Sequence, residues 1–417
     1  MSRPLCLANP VHHFAMNPLQ LQDIARTFAA RLREGLFYKG RELGCFPTFL
    51  PPPQGSGPTV SESREAYVVD VGGSNVRAAV VAREKGQWSL VAGPVVRPMP
   101  WKSGEPIDAE SFFAFQQEAL EALDVDGERP LGYCFSYPAE STCQGDARLL
   151  KWTKEIEVPK LVGQCVGQRL VEHLHRYSTL RCSRVTVVND TVASLLAGWA
   201  GSPQDAHCGL IVGTGFNLAS FFGATAVPKA GIHQHGAFPV NIEAGNFFPP
   251  WLTEWDDVVD GQSRNPGEQR FEKAISGGYL GHLAEAVLEQ DTSLPNAAAL
   301  TRILASPTAF PKHHVEVARS IYERSASWVA AALAGLVLVL SQHRPLESLH
   351  VTAEGGLFWG NVGDRPLFAE TTSRVLSGLL EDLELSKPLQ FEIVRQEHAN
   401  LFGAAQAVLG GSIMEYE

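Results

Sequence analysis

Basic residues are in short supply in this 417-residue chain: 34 lysines and arginines stand against 45 acidic residues, a net charge of −11. A surface that gripped nucleic acid or an anionic membrane through a general positive field needs the opposite balance, so neither partner is expected. Cysteine is sparse: seven residues, at 6, 45, 134, 143, 165, 182 and 208, form no Cys-x-x-Cys pair and leave the second half without any. That argues against a disulfide framework or a structural zinc site and fits a reducing cytoplasm. Long apolar runs are missing too. The strongest, Val329 to Leu340, is too short to span a bilayer and reads as a buried helix. No basic stretch followed by an apolar core opens the chain, so a secretory leader is not expected. The histidine pairs 12–13 and 313–314 and His233-x-His235 lack companions at metal-ligand spacing, and we read them as structural or surface residues.

What is there is ordinary globular composition, 45% hydrophobic and 19% charged, in a chain long enough for two domains. Apolar spacing predicts an amphipathic helix over 17–36, followed by an extended Pro/Gly/Ser-rich linker to about 62. Strands follow at 66–71, 76–82, 88–96 and 131–135, with a helix over 109–123. A helix over 160–176 precedes the strand 184–188, which runs through Asn189-Asp190 into a helix over 191–200. Beyond residue 250 the pattern is mainly helical, over 266–289, 297–305 and 315–343. Strands at 348–353 and 389–394 precede a last helix over 399–409. Strand, glycine-rich turn, strand occurs at 66–82 and again at 208–222, an echo that suggests two related α/β halves facing a cleft.

Three motifs carry chemistry. In Asp70-Val-Gly-Gly-Ser-Asn-Val-Arg77, glycines let backbone N–H groups approach a phosphate and Asp70 ends a strand; a plain hairpin turn accounts for the same residues. Ile211-Val-Gly-Thr-Gly-Phe-Asn217 repeats the design with the Thr214 hydroxyl as a further donor, and two such turns are a stronger signal than one. Asn189-Asp190 stands at a strand end before a helix, where the helix dipole keeps a carboxylate ionised; a helix cap is the simpler reading from spacing alone. Asn217, Glu243 and Glu272 offer acids and amides that match sugar hydroxyls, but spacing does not select them.

The chain resembles the eukaryotic-type hexokinase and glucokinase family of the actin-like ATPase superfamily, and the likeness runs in order over almost the whole sequence. It begins with the N-terminal helix, Pro47-Thr-Phe and Asp70-Val-Gly-Gly-Ser-Asn-Val-Arg77. It continues with Phe135-Ser-Tyr-Pro, Trp152-Thr-Lys154, Val188-Asn-Asp-Thr-Val-Ala and Gly209-Leu-Ile-Val-Gly-Thr-Gly-Phe-Asn217. Asn241-Ile-Glu-Ala-Gly, Asn265-Pro-Gly-Glu-Gln-Arg-Phe-Glu-Lys273 and Ser276-Gly-Gly-Tyr-Leu-Gly complete it. Two segments depart from the family: Glu354-Gly355-Gly356 stands for its Asp-Gly-Thr or Asp-Gly-Ser, and Ala399-Asn-Leu-Phe-Gly-Ala-Ala405 for its glycine-rich loop at the adenosine end. Asn241-Ile-Glu-Ala-Gly-Asn also replaces the family's usual Trp and Ala around Glu243.

The resemblance implies an α/β, two-domain actin-like ATPase (ribonuclease H-like) fold with an interdomain cleft. It implies a small domain of 63–191 plus 398–417 and a large domain of 1–62 plus 192–397. It implies phosphoryl transfer from ATP with Mg²⁺ to the 6-hydroxyl of a hexose, glucose first, in a monomer or homodimer. Asp190 would be the base. Asn189, Asn217, Glu243, Gln269 and Glu272 would hold the other hydroxyls, and Ser136, Thr153 and Lys154 would close on the sugar. Asp70, Gly72, Gly73, Ser74, Asn75 and Arg77 would face the phosphates and metal, with Asp70 holding Mg²⁺ through water, opposite Gly213, Thr214, Gly215 and Gly355. The alternatives are a non-catalytic hexose sensor with this fold, and a kinase of another sugar or with another phosphoryl donor.

Overall fold

The computed structural model describes residues 11–52, 64–101, 106–153, 156–199, 205–231, 236–288, 293–383, 385 and 388–410. Lys154, His233 and His235 lie outside the described residues, as does 53–63, the larger part of the expected linker. The first strands in chain order are β1 (Phe46–Pro47), β2 (Arg64–Val71), β3 (Asn75–Glu84), β4 (Gln87–Pro98), β5 (Glu128–Phe135), β6 (Ala139–Ser141), β7 (Ala147–Leu149) and β8 (Arg181–Val188). They are followed by β9 (Ala206–Val212), β10 (Phe216–Gly223), β11 (Ala237–Asn241), β12 (Ser348–Glu354) and β13 (Gln390–Val394).

One sheet has the order β4-β3-β2-β5-β8 and the other β1-β11-β10-β9-β12-β13. Leaving β1 aside, the two share a topology. Three antiparallel strands, β2 to β4 or β9 to β11, continue into two parallel ones, β5 and β8 or β12 and β13. The echo in the sequence is thus the start of a repeated five-stranded unit, the ribonuclease H-like arrangement. β2 is buried from Ala66 to Val71 because both faces of the sheet are covered, which is why it reads as a continuous apolar run. The edge strand β4 alternates instead, one face to solvent.

Helices Ala109–Glu121 and Val166–Tyr177 cover the first sheet, and Phe112, Leu120, Tyr133, Phe135, Leu170 and Leu174 form that lobe's core. The second lobe is larger. Helices Pro18–Phe37 and Leu367–Asp382 pack on the long helix Lys312–Leu340. That helix has 29 residues, so the whole of it is long and apolar enough to cross a membrane, unlike the apolar run alone; 83% of its most apolar window is buried inside the lobe. Between the sheets lies a third core. Helices Asp190–Ala197 and Ala399–Leu409 cross there, with Val192, Leu196, Leu401, Ala404 and Val408 against Val68 of β2 and Phe221 of β10. A Cβ at Gly403 would lie 1.9 Å from the Ala193 carbonyl oxygen, so only glycine allows the crossing.

Two expected helices differ in form. The span 266–289 is two helices, Arg270–Ile275 and Leu280–Val287. At the break, Gly277 N and Gly278 N donate to Gly213 O and Thr214 O (2.7 and 3.1 Å), so the chain gives up helical continuity to brace a distant turn. The span 160–176 is a 3₁₀ turn, Pro159–Leu161, and then the helix Val166–Tyr177. β11, the β6–β7 hairpin and the helix Leu367–Asp382 were not anticipated. β11 contains Pro239, and the helix carries Thr371, Thr372 and Gly378, all poor formers of those elements.

Candidate active site

The β2–β3 turn is closed by Gly72 N donating to Asn75 O at 3.0 Å and braced from behind. Ser136 N donates to Val71 O (3.2 Å) and the Tyr137 hydroxyl to Gly72 O (3.2 Å). Ser74 and Arg77 are exposed on its rim, with Gly72, Gly73 and Asn75 half-buried. Asp70 is buried. Its Oδ2 accepts from Arg77 Nη1 at 3.1 Å and Asn400 Nδ2 at 3.5 Å, and its Oδ1 is buried with no hydrogen-bond partner among the described residues. Burial raises the Asp70 pKa and the Asp190 charge adds to the rise, while Arg77, the Cys134 thiol and Asn400 oppose it. A buried carboxylate oxygen that lacks a donor suits a divalent cation. No group of three or more His, Cys, Asp or Glu that could hold a metal stands together among the described residues. The residues present therefore fit Mg²⁺, which keeps several waters and needs only one or two carboxylates besides substrate phosphates.

The β9–β10 turn is Gly213-Thr214-Gly215, closed by Gly213 N donating to Gly215 O at 2.9 Å. Thr214 is exposed. Gly355 abuts this turn with φ +120°, and a Cβ there would meet Val212 O at 2.1 Å. Its neighbour Glu354 ends β12. Burial pushes the Glu354 carboxyl up to about 7; Arg395 and Arg77 pull it down and Asp70 pushes it up. Asp70 and Arg77 lie on β2 and β3, the strands joined by the first turn, so Glu354, beside the second turn, is near enough to feel their charges.

Beside the second turn lies a hydrogen-bonded chain of amides and an acid. Asn217 Nδ2 donates to Asn241 Oδ1 (2.8 Å), and Asn241 Nδ2 donates to Glu243 Oε1 (2.7 Å). Asn217 Oδ1 accepts from Leu218 N and Ala244 N (2.7 and 3.1 Å), fixing which end of the amide points where. Glu272 Oε2 accepts from Phe216 N at 2.9 Å and fills the space a Cβ on Gly215 would need, 2.7 Å away. Glu243 and Gln269 both hold left-handed backbones, φ 57° and 51°. Bulky residues rarely adopt that conformation outside sites that require it. Asn265 Nδ2 donates to Gln269 Oε1 at 2.9 Å.

Asp190 is the first residue of its helix. Its Oδ1 accepts from Thr191 N (2.8 Å) and Thr191 Oγ1 (3.3 Å), and Asn189 caps the same helix by accepting from Thr191 N (2.9 Å). The Asp190 charge raises the pKa values of Asp70, Cys134 and Tyr137, which sets it beside the first turn. Thr153 follows Trp152, whose Nε1 donates to Val158 O at 2.8 Å and whose ring packs on Phe112, Phe135 and Tyr137. Asn241, Asn400, Glu354 and Cys134 were not selected from sequence as site residues. Asn241 ends β11 and Glu243 lies beyond it on a left-handed backbone, so strand alternation does not pair the two and no sequence spacing singled Asn241 out.

Two family models described as hexokinase match residues 7–199 and 207–293, together about two thirds of the chain. Hexokinase-1 of Oryza sativa subsp. japonica is 33% identical over 322 residues, 71% of this chain and 63% of that protein. Hexokinase-2 of Homo sapiens is 31% identical over 294 residues, 67% of this chain and 31% of that one. The chain thus spans less than two thirds of the length of these curated relatives. Among solved structures, a hexokinase from Schistosoma mansoni complexed with glucose superposes with a TM-score of 0.76 at 23% identity, covering 95% of this chain and 96% of that one. A ROK family glucokinase from Streptomyces griseus in complex with glucose and AMPPNP superposes with a TM-score of 0.53 at 19% identity, covering 83% and 100%. At these identities the two structures speak for the fold. Both family models occur in order along the sequence, and the chain belongs to the hexokinase family.

Proposed function

We propose that the protein transfers the γ-phosphoryl group of ATP to the 6-hydroxyl of a hexose, glucose first, with Asp190 as base. One observation carries this reading: each sheet bears a glycine turn, Asp70 and Arg77 beside the first act on Glu354 beside the second, an aspartate at a helix N-terminus stands by one, and an Asn-Asn-Glu chain stands by the other. Phosphates fit the turns, whose backbone N–H groups, Thr214 hydroxyl and Arg77 guanidinium supply donors and charge. Sugar hydroxyls fit Asn217, Glu243, Gln269 and Glu272, which already hold fixed orientations, with Asn189 beside the base. Ser136 and Thr153 complete the set from the other lobe, and Lys154 follows Thr153 in the sequence.

The bonds from Thr191 aim the Asp190 carboxylate, so it is placed to take the hydroxyl proton as the oxygen attacks. Closure of the cleft excludes water, which would otherwise accept the phosphoryl group. Asp70 would hold Mg²⁺, which neutralises charge on the phosphoryl oxygens when bound. A reducing cytoplasm is the compartment we infer, supported by six described cysteines that are all free thiols.

The test is Asp190→Asn. Loss of the base lowers turnover by roughly 10²–10⁴-fold, while calorimetry finds the glucose dissociation constant within about threefold of wild type, because the amide still makes the ground-state contact. Near-wild-type turnover would remove Asp190 from the role. Glu354 favours a second reading, a hexose sensor without transfer, because a second carboxyl near enough to feel the Asp70 charge weakens polyphosphate binding when ionised. A matrix of phosphoryl donors against hexoses, with no transfer in any cell, would establish it.

A further inference from the structure

The β6–β7 segment of the first lobe is tied to the second lobe by ion pairs outside the chemistry above. Lys151 Nζ donates to Glu268 Oε2 at 2.7 Å, and Lys39 Nζ lies 4.0 Å from Glu140 Oε1. The Lys39 pair is at the limit of contact and its lysine is 78% exposed, so it contributes little. The Lys151 pair is different in where its two halves are anchored. Trp152 is fixed into the first lobe's aromatic core, which anchors the backbone between its neighbours Lys151 and Thr153.

Glu268 sits on an equally fixed loop. Gly267 N donates to both oxygens of Asp260 (3.1 and 2.9 Å). Lys273, itself buried, donates to Asp260 Oδ1 and to Asn265 O, each at 2.7 Å. Asn265 in turn holds the side chain of Gln269, the residue after Glu268. The hydrogen bond from Lys151 holds the Glu268 carboxyl below the usual carboxylate range. Each partner is therefore next to or two residues from an assigned sugar contact, Gln269 on one lobe and Thr153 on the other, and both are held by rigid surroundings. The pair can form only when the lobes meet.

We propose that Lys151 and Glu268 are positioning residues, an interlobe clasp that sets hexose affinity by favouring the closed cleft and bringing Thr153 and Gln269 onto the sugar together. This rests on the hexose reading above. Neither residue touches the reacting atoms, so the clasp acts on the open–closed equilibrium that precedes transfer. Both side chains are about half exposed, so the effect is modest and screened by salt.

The experiment uses the full chain with D-glucose and ATP, comparing Lys151→Glu, Glu268→Lys, the double exchange and Lys151→Arg. In low salt each single reversal turns attraction into repulsion and raises the glucose KM and the calorimetric glucose dissociation constant by about 3- to 10-fold. kcat at saturating glucose and the ATP KM stay within about twofold. The double exchange restores the glucose KM to within about twofold of wild type, as does Lys151→Arg, and ~0.5 M salt removes most of the differences. A merely structural role would give losses that the exchange does not repair and salt does not touch. The proposal is overturned if the single reversals leave glucose affinity unmoved, or if the double exchange is no better than the worse single variant. A wild-type protein that neither binds nor phosphorylates glucose would instead overturn the hexose reading, and the clasp with it.

Discussion

At the scale of single residues, the site combines strain, burial and shared hydrogen bonds. Glu243 and Gln269 hold left-handed backbones and Asn241 spends both ends of its amide linking Asn217 to Glu243, so sugar-type polar groups are oriented before any ligand arrives. Glu354 sits in an environment that disfavours its charge. Its folded pKa of about 7 lies above the ordinary 4.5, so the protein holds this proton more tightly when folded. The stability tied to it is therefore complete below about pH 4.5 and is lost as pH rises through about 7. Glu354→Gln keeps the neutral form at every pH. The variant is expected to be more stable than wild type by about 2 kcal/mol at pH 8, with the gap closing towards pH 5. Thermal unfolding of both proteins across that range measures it, and a gap that does not change with pH would show that Glu354 is not buried in this way. Asp190 itself was legible as a strand-end acid before a helix. What no spacing revealed was the Asn241 bridge, because its partners lie 24 residues upstream on a neighbouring strand and two residues downstream at a left-handed bend beyond the strand.

At the scale of elements, crossings decide more than periodicity. The helices Asp190–Ala197 and Ala399–Leu409 meet backbone to backbone at Ala193 and Gly403. A methyl at 403 has nowhere to go, since the atom it meets is a carbonyl oxygen of the helix that carries Asp190. Gly403→Ala is expected to destabilise the protein by roughly 2–3 kcal/mol despite alanine's better helix propensity, and to lower kcat more than the glucose KM by shifting Asp190. Denaturant titration and steady-state kinetics on the variant check both parts; a neutral or stabilising effect would mean that the helices do not cross so closely. Strands β2, β3, β9 and β10 and the terminal helix Ala399–Leu409 were legible because their apolar patterns are strong and local. β11 and Leu367–Asp382 were not, since Pro239 and Thr371-Thr372 argue locally against the states that tertiary packing imposes. The break at Ser276–Tyr279 was hidden for a related reason: the glycines there leave a helix to bond a turn more than sixty residues upstream, a partner no local pattern contains.

At the scale of the whole molecule, each sheet has its own core, and the third core between them is built mostly from two crossing helices and small side chains. That third core sets the helix that begins with Asp190 between the two sheets. A hexose that touches both lobes acts as a second tie between them. D-glucose alone, at about 100 times its dissociation constant, then stabilises the folded chain by roughly 2.7 kcal/mol and raises the unfolding temperature. The rise needs both sides of the cleft. Glu272→Gln in one lobe and Thr153→Val in the other each reduce it at a fixed glucose concentration, whereas Asp190→Asn leaves most of it, because its loss falls on the transfer step. Scanning calorimetry with and without glucose on these three variants and the wild type reads all four shifts. If Thr153→Val kept the full shift, sugar would be held by one lobe only, and closure would have to be driven by the nucleotide instead.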